Sequence, residues 1–186
     1  MTLPAEEDCL YQSCYCEENI WHLCQHPACE GSTVVFIASQ GEMFPMLCQK
    51  AMSDPATPVC WDYHVILLLP GKPSRILDFD TALPFCTELN TYLHRSFPQV
   101  DFLPAEYQPY FRLIPTAEFV STFRSDRSHM RTATGWSAPP PDWPIIGSGG
   151  SNLTDFRTMT EKNHQHNASA IGKVLSFQEM LTYDEI

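Results

Sequence analysis

The stretch Ser13-Cys14-Tyr15-Cys16-Glu17-Glu18-Asn19-Ile20-Trp21 places a cysteine where a helix should begin. A thiolate is a strong nucleophile, and the unpaired N–H groups and partial positive charge of a helix start are expected to lower the thiol pKa of Cys16. Farther along, Trp61-Asp62-Tyr63-His64-Val65 supplies a histidine and Leu77-Asp78-Phe79-Asp80 a carboxylate. Cysteine, histidine and aspartate in that order suggest a thiol hydrolase or transferase. In such an enzyme the imidazole takes the thiol proton and the carboxylate orients the imidazole.

Geometry sharpens the assignment of His64 and Asp78. Pro70-Gly71-Lys72-Pro73-Ser74 is a turn signal between two apolar stretches, Tyr63 to Leu69 and Arg75 to Phe79. Strands pairing antiparallel about Gly71 would bring together residues whose numbers sum to 142, which His64 and Asp78 satisfy. Opposed residues share a face with Cβ atoms about 4.5–5.5 Å apart. An even-length loop would shift the register by one and separate the pair, so the arrangement requires an odd one. Cys16, packed over this hairpin, would complete the set, with its own backbone N–H as one oxyanion donor.

The elements that must carry these groups follow from periodicity. A first helix is expected from about Cys16 to about His26, burying Ile20, Leu23 and Cys24, with Trp21 as a further candidate for the stripe. Strands are expected at Thr33 to Ala38 and, more edge-like, at Met43 to Leu47, where Pro45 removes a ladder donor. A second helix is expected over roughly Pro84 to Phe97, with Phe85, Leu89 and Tyr92 or Leu93 inward, then a strand at Phe111 to Ile114 and a helix with Thr116 as N-cap. The proline- and glycine-rich region from Ser125 to about Asn167 reads as long irregular loops. Lys173 to Leu175 reads as a strand, and Ser176-Phe177-Gln178-Glu179 as a capping box opening a terminal helix. Interleaved helices and strands around a central hairpin indicate an α+β sandwich rather than a doubly wound parallel sheet.

Length and composition set the frame. The 186 residues suffice for one domain with a proper core, taken as residues 1–186. A formal net charge of −11 argues against nucleic acid and anionic membranes as partners. The opening Met1 to Asp8 is acidic with no apolar core of a secretory leader, and the longest apolar run, Val65 to Leu69, is too short for a membrane span. The expected location is the cytosol, with the nucleus also open to a protein of this size. In that reducing setting the eight cysteines are read as free thiols, and Asn152-Leu153-Thr154 and Asn167-Ala168-Ser169 as incidental glycosylation matches.

The quoted cysteine motif, the Trp61–Val65 pentapeptide, Asp78-Phe79-Asp80-Thr81 with Leu83-Pro84-Phe85, and Ser125-Asp126-Arg127-Ser128-His129-Met130 together resemble the protein N-terminal glutamine amidohydrolases. The proline run before Trp143 is similar too, so the resemblance covers nearly the whole chain. It implies a monomeric α-β-α sandwich with a central, mainly antiparallel sheet, related to transglutaminase- and papain-like thiol enzymes. It also implies a triad of Cys16, His64 and Asp78 that needs no metal or cofactor. The implied reaction converts the N-terminal glutamine of a protein to glutamate with release of ammonia, preparing that protein for arginylation and the N-degron pathway. The expected partners are proteins or peptides with an exposed N-terminal glutamine. Shorter loops near Gly71 and between Glu30 and Pro58 are where the chain departs from the family.

Several positions have competing roles. Cys14 is the natural confuser for Cys16, and Asp80 for Asp78; a local role, bonding the Thr81–Leu83 backbone, is assigned to Asp80. Asp62 and Glu18 are the nearest acidic groups to recognise a substrate α-ammonium, with Asp62 expected on the strand face of His64. His129 is either a pocket residue or part of a polar loop packed by Arg124 and Arg127. The Trp136–Trp143 segment is read as a surface loop fixed by its aromatics, with a polyproline-type ligand for a partner as the alternative, and His164-Gln165-His166 as a solvated loop. Cys9, Cys14, Cys16, Cys24, Cys29, His22 and His26 are dense enough to suggest zinc, but they lack a second short-spaced knuckle, and no metal is assigned. The alternatives in function are a non-catalytic adaptor that binds N-termini on the same scaffold, and another thiol acyl-transferase or protease.

Overall fold

A computed structural model describes residues 2–159 and 171–185. Six strands make its central sheet: β1 (Thr33–Ala38), β4 (His64–Leu69), β5 (Arg75–Leu77), β6 (Cys86–Glu88), β7 (Tyr110–Pro115) and β10 (Lys173–Ser176). They pair in the order β10-β7-β1-β4-β5-β6, antiparallel throughout. Two small two-stranded sheets lie outside it, β2 (Phe44–Met46) with β3 (Val59–Trp61) and β8 (Arg131–Thr132) with β9 (Gly135–Trp136).

The innermost strands are almost continuously apolar because the sheet is covered on both faces. Val34, Phe36, Val65, Leu67 and Leu69 point to one core, which α1 (Cys16–Leu23), α3 (Thr116–Thr122) and α4 (Leu153–Arg157) close with Ile20, Leu23, Phe119 and Phe156. Val35, Ile37, Ile66, Leu68 and Ile76 point to the other, closed by α2 (Leu89–Ser96) and α5 (Phe177–Leu181) with Leu89, Leu93, Phe177 and Met180. The result is the expected α+β sandwich. Burying a side chain such as Ile20 or Phe156 fully is worth about 1.5–3 kcal/mol each.

Local chemistry explains most boundaries. The Ser176 hydroxyl accepts from the Glu179 N–H while the Glu179 carboxylate accepts from the Ser176 N–H, so the expected capping box starts α5. Gly172, at φ +61°, precedes β10, and a Cβ there would sit 2.2 Å from the Leu113 carbonyl oxygen. Only glycine lets β10 approach β7 so closely. Arg112 on β7 is buried and donates to the carbonyls of Phe156, Thr158 and Ile171.

Three expectations are corrected. The first helix ends at Leu23, with a separate 3-10 turn at Pro27–Cys29. The expected Pro84–Phe97 helix is divided: Cys86–Glu88 pair with β5 as an edge strand, and α2 begins only at Leu89. The hairpin register also differs. Leu67 faces Leu77, Leu68 faces Ile76 and Leu69 faces Arg75, so partner numbers sum to 144 and the turn centres on Lys72. The Pro70–Ser74 loop is of odd length, as required. The stretch His164-Gln165-His166 and the glycosylation match at Asn167 lie outside the described residues. Among the described residues, no helix is long and apolar enough to cross a membrane.

Candidate active site

Cys16 is the first residue of α1, so its N–H has no intrahelical acceptor. The chain reaches it through an elbow: Cys14 sits at φ +68°, a left-handed conformation uncommon outside glycine. Asn19 secures this approach by accepting from the Gln12 N–H at 2.9 Å and donating to the Gln12 carbonyl at 3.0 Å. The first turn of α1 is therefore polar yet buried, with Glu17, Glu18 and Asn19 all closed off from solvent.

His64 opens β4 on the sheet face covered by α2, and its Nε2 lies 2.9 Å from Asp78 Oδ1. The two residues are diagonal rather than opposed. In the observed register His64 would face position 80, but β5 leaves the ladder after Leu77 and Asp78 lies two residues short of that position. Diagonal residues still share a face. Asp78 is fixed from three sides: its N–H bonds the Phe85 carbonyl, Oδ1 also accepts from the Asp80 N–H at 2.9 Å, and Oδ2 accepts from the Tyr92 hydroxyl at 2.7 Å. Trp61 stacks on the imidazole with ring centres 5.4 Å apart.

The electrostatics of this pair are mutual. Burial pulls the His64 pKa down, but the Asp78 carboxylate, its hydrogen bond and the Asp80 charge outweigh burial and leave it raised. Burial pushes Asp78 up, while His64, the Asp80 N–H and Tyr92 outweigh burial and hold it below the usual carboxylate range. Asp78 is thus ionised and accepts from Nε2–H, which leaves Nδ1 as the free acceptor of the ring. That Nδ1 is buried and has no hydrogen-bond partner among the described residues.

Cys16 corrects one expectation. Burial holds its thiol well above the ordinary value; the charges of Glu17 and Asp80 add to this, and the Val65 backbone N–H opposes it. The sulfur, 3.8 Å from Glu17 Oε2, sits in a closed space among carboxylates, where negative charge costs more than a helix start returns. A thiolate here depends on a proton passing to a neighbouring base. Helix α1 packs against β4, which puts Cys16 in the same core cluster as Val65, the residue that follows His64.

A cleft of about 380 Å³ leads to the sulfur, lined by Cys16, Trp61, Tyr63, Asp80, His129 and Ser137 among others. His129 is therefore a pocket residue. Its Nε2 is 3.3 Å from the Tyr63 hydroxyl and 3.4 Å from Glu17 Oε1. Tyr63 in turn donates to Glu17 Oε2 at 2.9 Å.

The two acidic groups nearest in sequence are already engaged. Glu18 is buried and receives the Arg127 guanidinium through Nε and Nη2, at 2.9 and 2.8 Å, together with Trp143 Nε1 at 2.7 Å. Asp62 precedes β4 rather than sharing its face, is exposed, and pairs with Arg157 at 2.8 Å. Asp80 does not bond the Thr81–Leu83 backbone; Leu83 N–H goes to the Thr81 hydroxyl, and Asp80 Oδ1 accepts from Tyr11 at 2.7 Å. The Trp136–Trp143 loop is docked through Trp143 on Glu18 and His22, and through Ala138, whose carbonyl accepts from Tyr15. Among the described residues, the one group of close metal-type donors is His64, Asp78 and Asp80, which includes none of the cysteines.

Tyr92 is the supporting residue that local reasoning missed. The periodicity turns it inward, but only the packing of α2 behind β5 brings its hydroxyl to Asp78.

Comparison with known proteins places this arrangement. The family model described as N-terminal glutamine amidase matches residues 11–183. The chain is similar to the human protein N-terminal glutamine amidohydrolase, 41% identical over 86% of this chain and 82% of that one. It is also similar to the Danio rerio protein of that name, 41% identical over 84% and 82%, and to that of Drosophila mojavensis, 36% identical over 97% and 90%. The matched span holds Cys16, His64 and Asp78 together with the tyrosine and tryptophan that brace them, and the chain belongs to the N-terminal glutamine amidase family.

Proposed function

We propose that this chain is a thiol amidohydrolase that converts the N-terminal glutamine of proteins and peptides to glutamate, with Cys16 as nucleophile, His64 as acid–base and Asp78 as its orienting carboxylate. The observation that carries the reading is the fixed His64–Asp78 pair, whose unpartnered Nδ1 belongs to the strand packed against α1. Family membership supports the choice of substrate.

The chemistry follows from these groups. His64 Nδ1 takes the Cys16 proton, and the ionised Asp78 stabilises the imidazolium that results. The sulfur attacks the carbon of the side-chain carboxamide, and the oxyanion meets the Cys16 backbone N–H at the head of α1. As the tetrahedral centre collapses, the imidazolium gives its proton to the nitrogen, ammonia leaves and a thioester remains. The same imidazole then deprotonates a water, which cleaves the thioester to the γ-carboxylate and restores the thiol. No step calls on a cofactor.

The product is a protein with an N-terminal glutamate, which suits a role ahead of arginylation in the N-degron pathway. The enzyme acts in this reading as a monomer in the cytosol, with the nucleus also open to a protein of this size. A peptide series beginning with Gln, Asn and acetyl-Gln tests it through ammonia release and mass. A gain of about one mass unit on the Gln peptide alone is expected, since exchanging an amide NH₂ for OH adds that much. Peptide cleavage would favour a protease, and no change would favour an adaptor.

A further inference from the structure

An N-terminal glutamine carries a positive α-ammonium, separated from the amide carbon only by the α-carbon and two methylenes. When the amide meets Cys16, that cation must lie in the same cleft. Besides Asp78, whose oxygens are taken by His64, Tyr92 and the Asp80 N–H, four carboxylates come into question, and three are committed. Glu18 is held by Arg127 and Trp143. Asp62 pairs with Arg157 at the exposed rim. Glu17 has one oxygen on Tyr63 and the other sealed beneath His129.

Asp80 differs from all three. It is 8% exposed, and it lines the cleft beside Cys16. Oδ1 is pinned by the Tyr11 hydroxyl, while Oδ2 has no hydrogen-bond partner among the described residues. Its backbone N–H is tied to Asp78 Oδ1 at 2.9 Å, which fixes its position relative to the reacting groups. Unlike Glu17 Oε1, which is sealed without a partner, Asp80 Oδ2 keeps contact with solvent through the cleft.

We propose that Asp80 is the anchor for the substrate α-ammonium and so makes the enzyme specific for a chain terminus; this rests on the deamidase reading above. An internal glutamine brings a neutral amide in place of the cation, leaving a desolvated carboxylate oxygen unpaired, and a site built this way rejects such a substrate strongly. Burial and the charge of Asp78 push the Asp80 pKa up, with His64, Tyr11 and Lys50 opposing. A bound ammonium adds to the opposing side and keeps the carboxylate ionised.

The test compares wild type with Asp80→Asn, which retains an acceptor for Tyr11. Two substrates are used: a glutamine peptide with a free amine, and the same peptide with hydrogen in place of the α-amino group. The expected result is a loss of about 100-fold in kcat/KM on the free-amine peptide, mostly in KM. The loss is confined to that peptide, so the wild-type preference between the two collapses. Because the Asp80 charge raises both the Cys16 thiol and the His64 imidazole, Asp80→Asn should move the pH profile of Cys16 alkylation by iodoacetamide to lower pH, a change common to both peptides that leaves the difference between them as the readout of the anchor. Equal losses on both peptides, or activity within about threefold of wild type on the free-amine peptide, overturn the anchor. Collapse of the preference in Asp62→Asn, with Asp80→Asn unaffected, overturns it too. Wild type that releases no ammonia from the free-amine peptide overturns the deamidase reading itself, so the two failures are told apart.

Discussion

The Tyr92 hydroxyl donates to Asp78 Oδ2 at 2.7 Å from the helix behind the sheet, while His64 occupies Oδ1 at 2.9 Å. Helix α2 thus holds the carboxylate that holds the imidazole. Tyr92→Phe leaves Oδ2 buried without a partner, at a cost of about 1–3 kcal/mol. A urea midpoint lowered accordingly, with kcat down about tenfold, is the expected outcome. Unchanged kcat would show that Tyr92 supports packing alone.

Cys16→Ser should lower deamidation at least about a thousandfold, because a hydroxyl in this closed acidic space is a far poorer nucleophile. Cys14→Ser should keep much of the wild-type rate, since Cys14 is exposed at the elbow. The two rates, measured with intact-mass mapping of the alkylated thiol, decide between the cysteines.

The His64–Asp78 pair links stability to pH. The folded pKa of Asp78 is depressed, so its contribution is present above about pH 4 and is lost as pH falls through the lower folded value. That of His64 is raised, so its share is complete below about pH 6.5 and is lost as pH rises through the higher folded value. The stability gap between wild type and Asp78→Asn should therefore be widest from roughly pH 4 to 6.5, and should shrink by on the order of 1 kcal/mol once the His64 transition is passed. Urea unfolding of both proteins on the acid and alkaline sides of that transition measures this. A constant gap would mean that no proton is linked to the pair.

Glu18 and Arg127 form a buried, two-point ion pair. Removing one charge strands the other, so Glu18→Gln should cost about 3–5 kcal/mol. Arg127 also donates to the carbonyls of Pro141, Trp143 and Pro144, so it positions the proline loop. Arg127→Lys should consequently raise KM several-fold even where thermal melting shows the protein folded, because an ammonium cannot span those acceptors. Melting temperature and steady-state kinetics on the same sample separate the two effects.

Much of the scaffold is legible along the chain because its chemistry is local. Cys16 at the helix start, β1, the Ser176 capping box and the odd Pro70–Ser74 loop all depend on neighbours within a few residues. Other features are decided by distant partners. Pro84 to Glu88 has a helical apolar spacing, but β5 offers an open edge that recruits Cys86–Glu88 as a strand. The helix start promised an acidic thiol at Cys16, yet the carboxylates of Asp80 and Glu17 converge on the sulfur only in the folded chain. Glu18 looked available for substrate because nothing in its vicinity along the chain announces Arg127.

Arg112 ties Phe156 and Thr158 on one side and Ile171 on the other to a single strand of the sheet. The ends of the intervening segment are thereby stapled to the scaffold independently of what joins them. A change in length confined to positions 160–170 would therefore leave in place the Arg112 contacts that hold the end of α4 and the approach to β10.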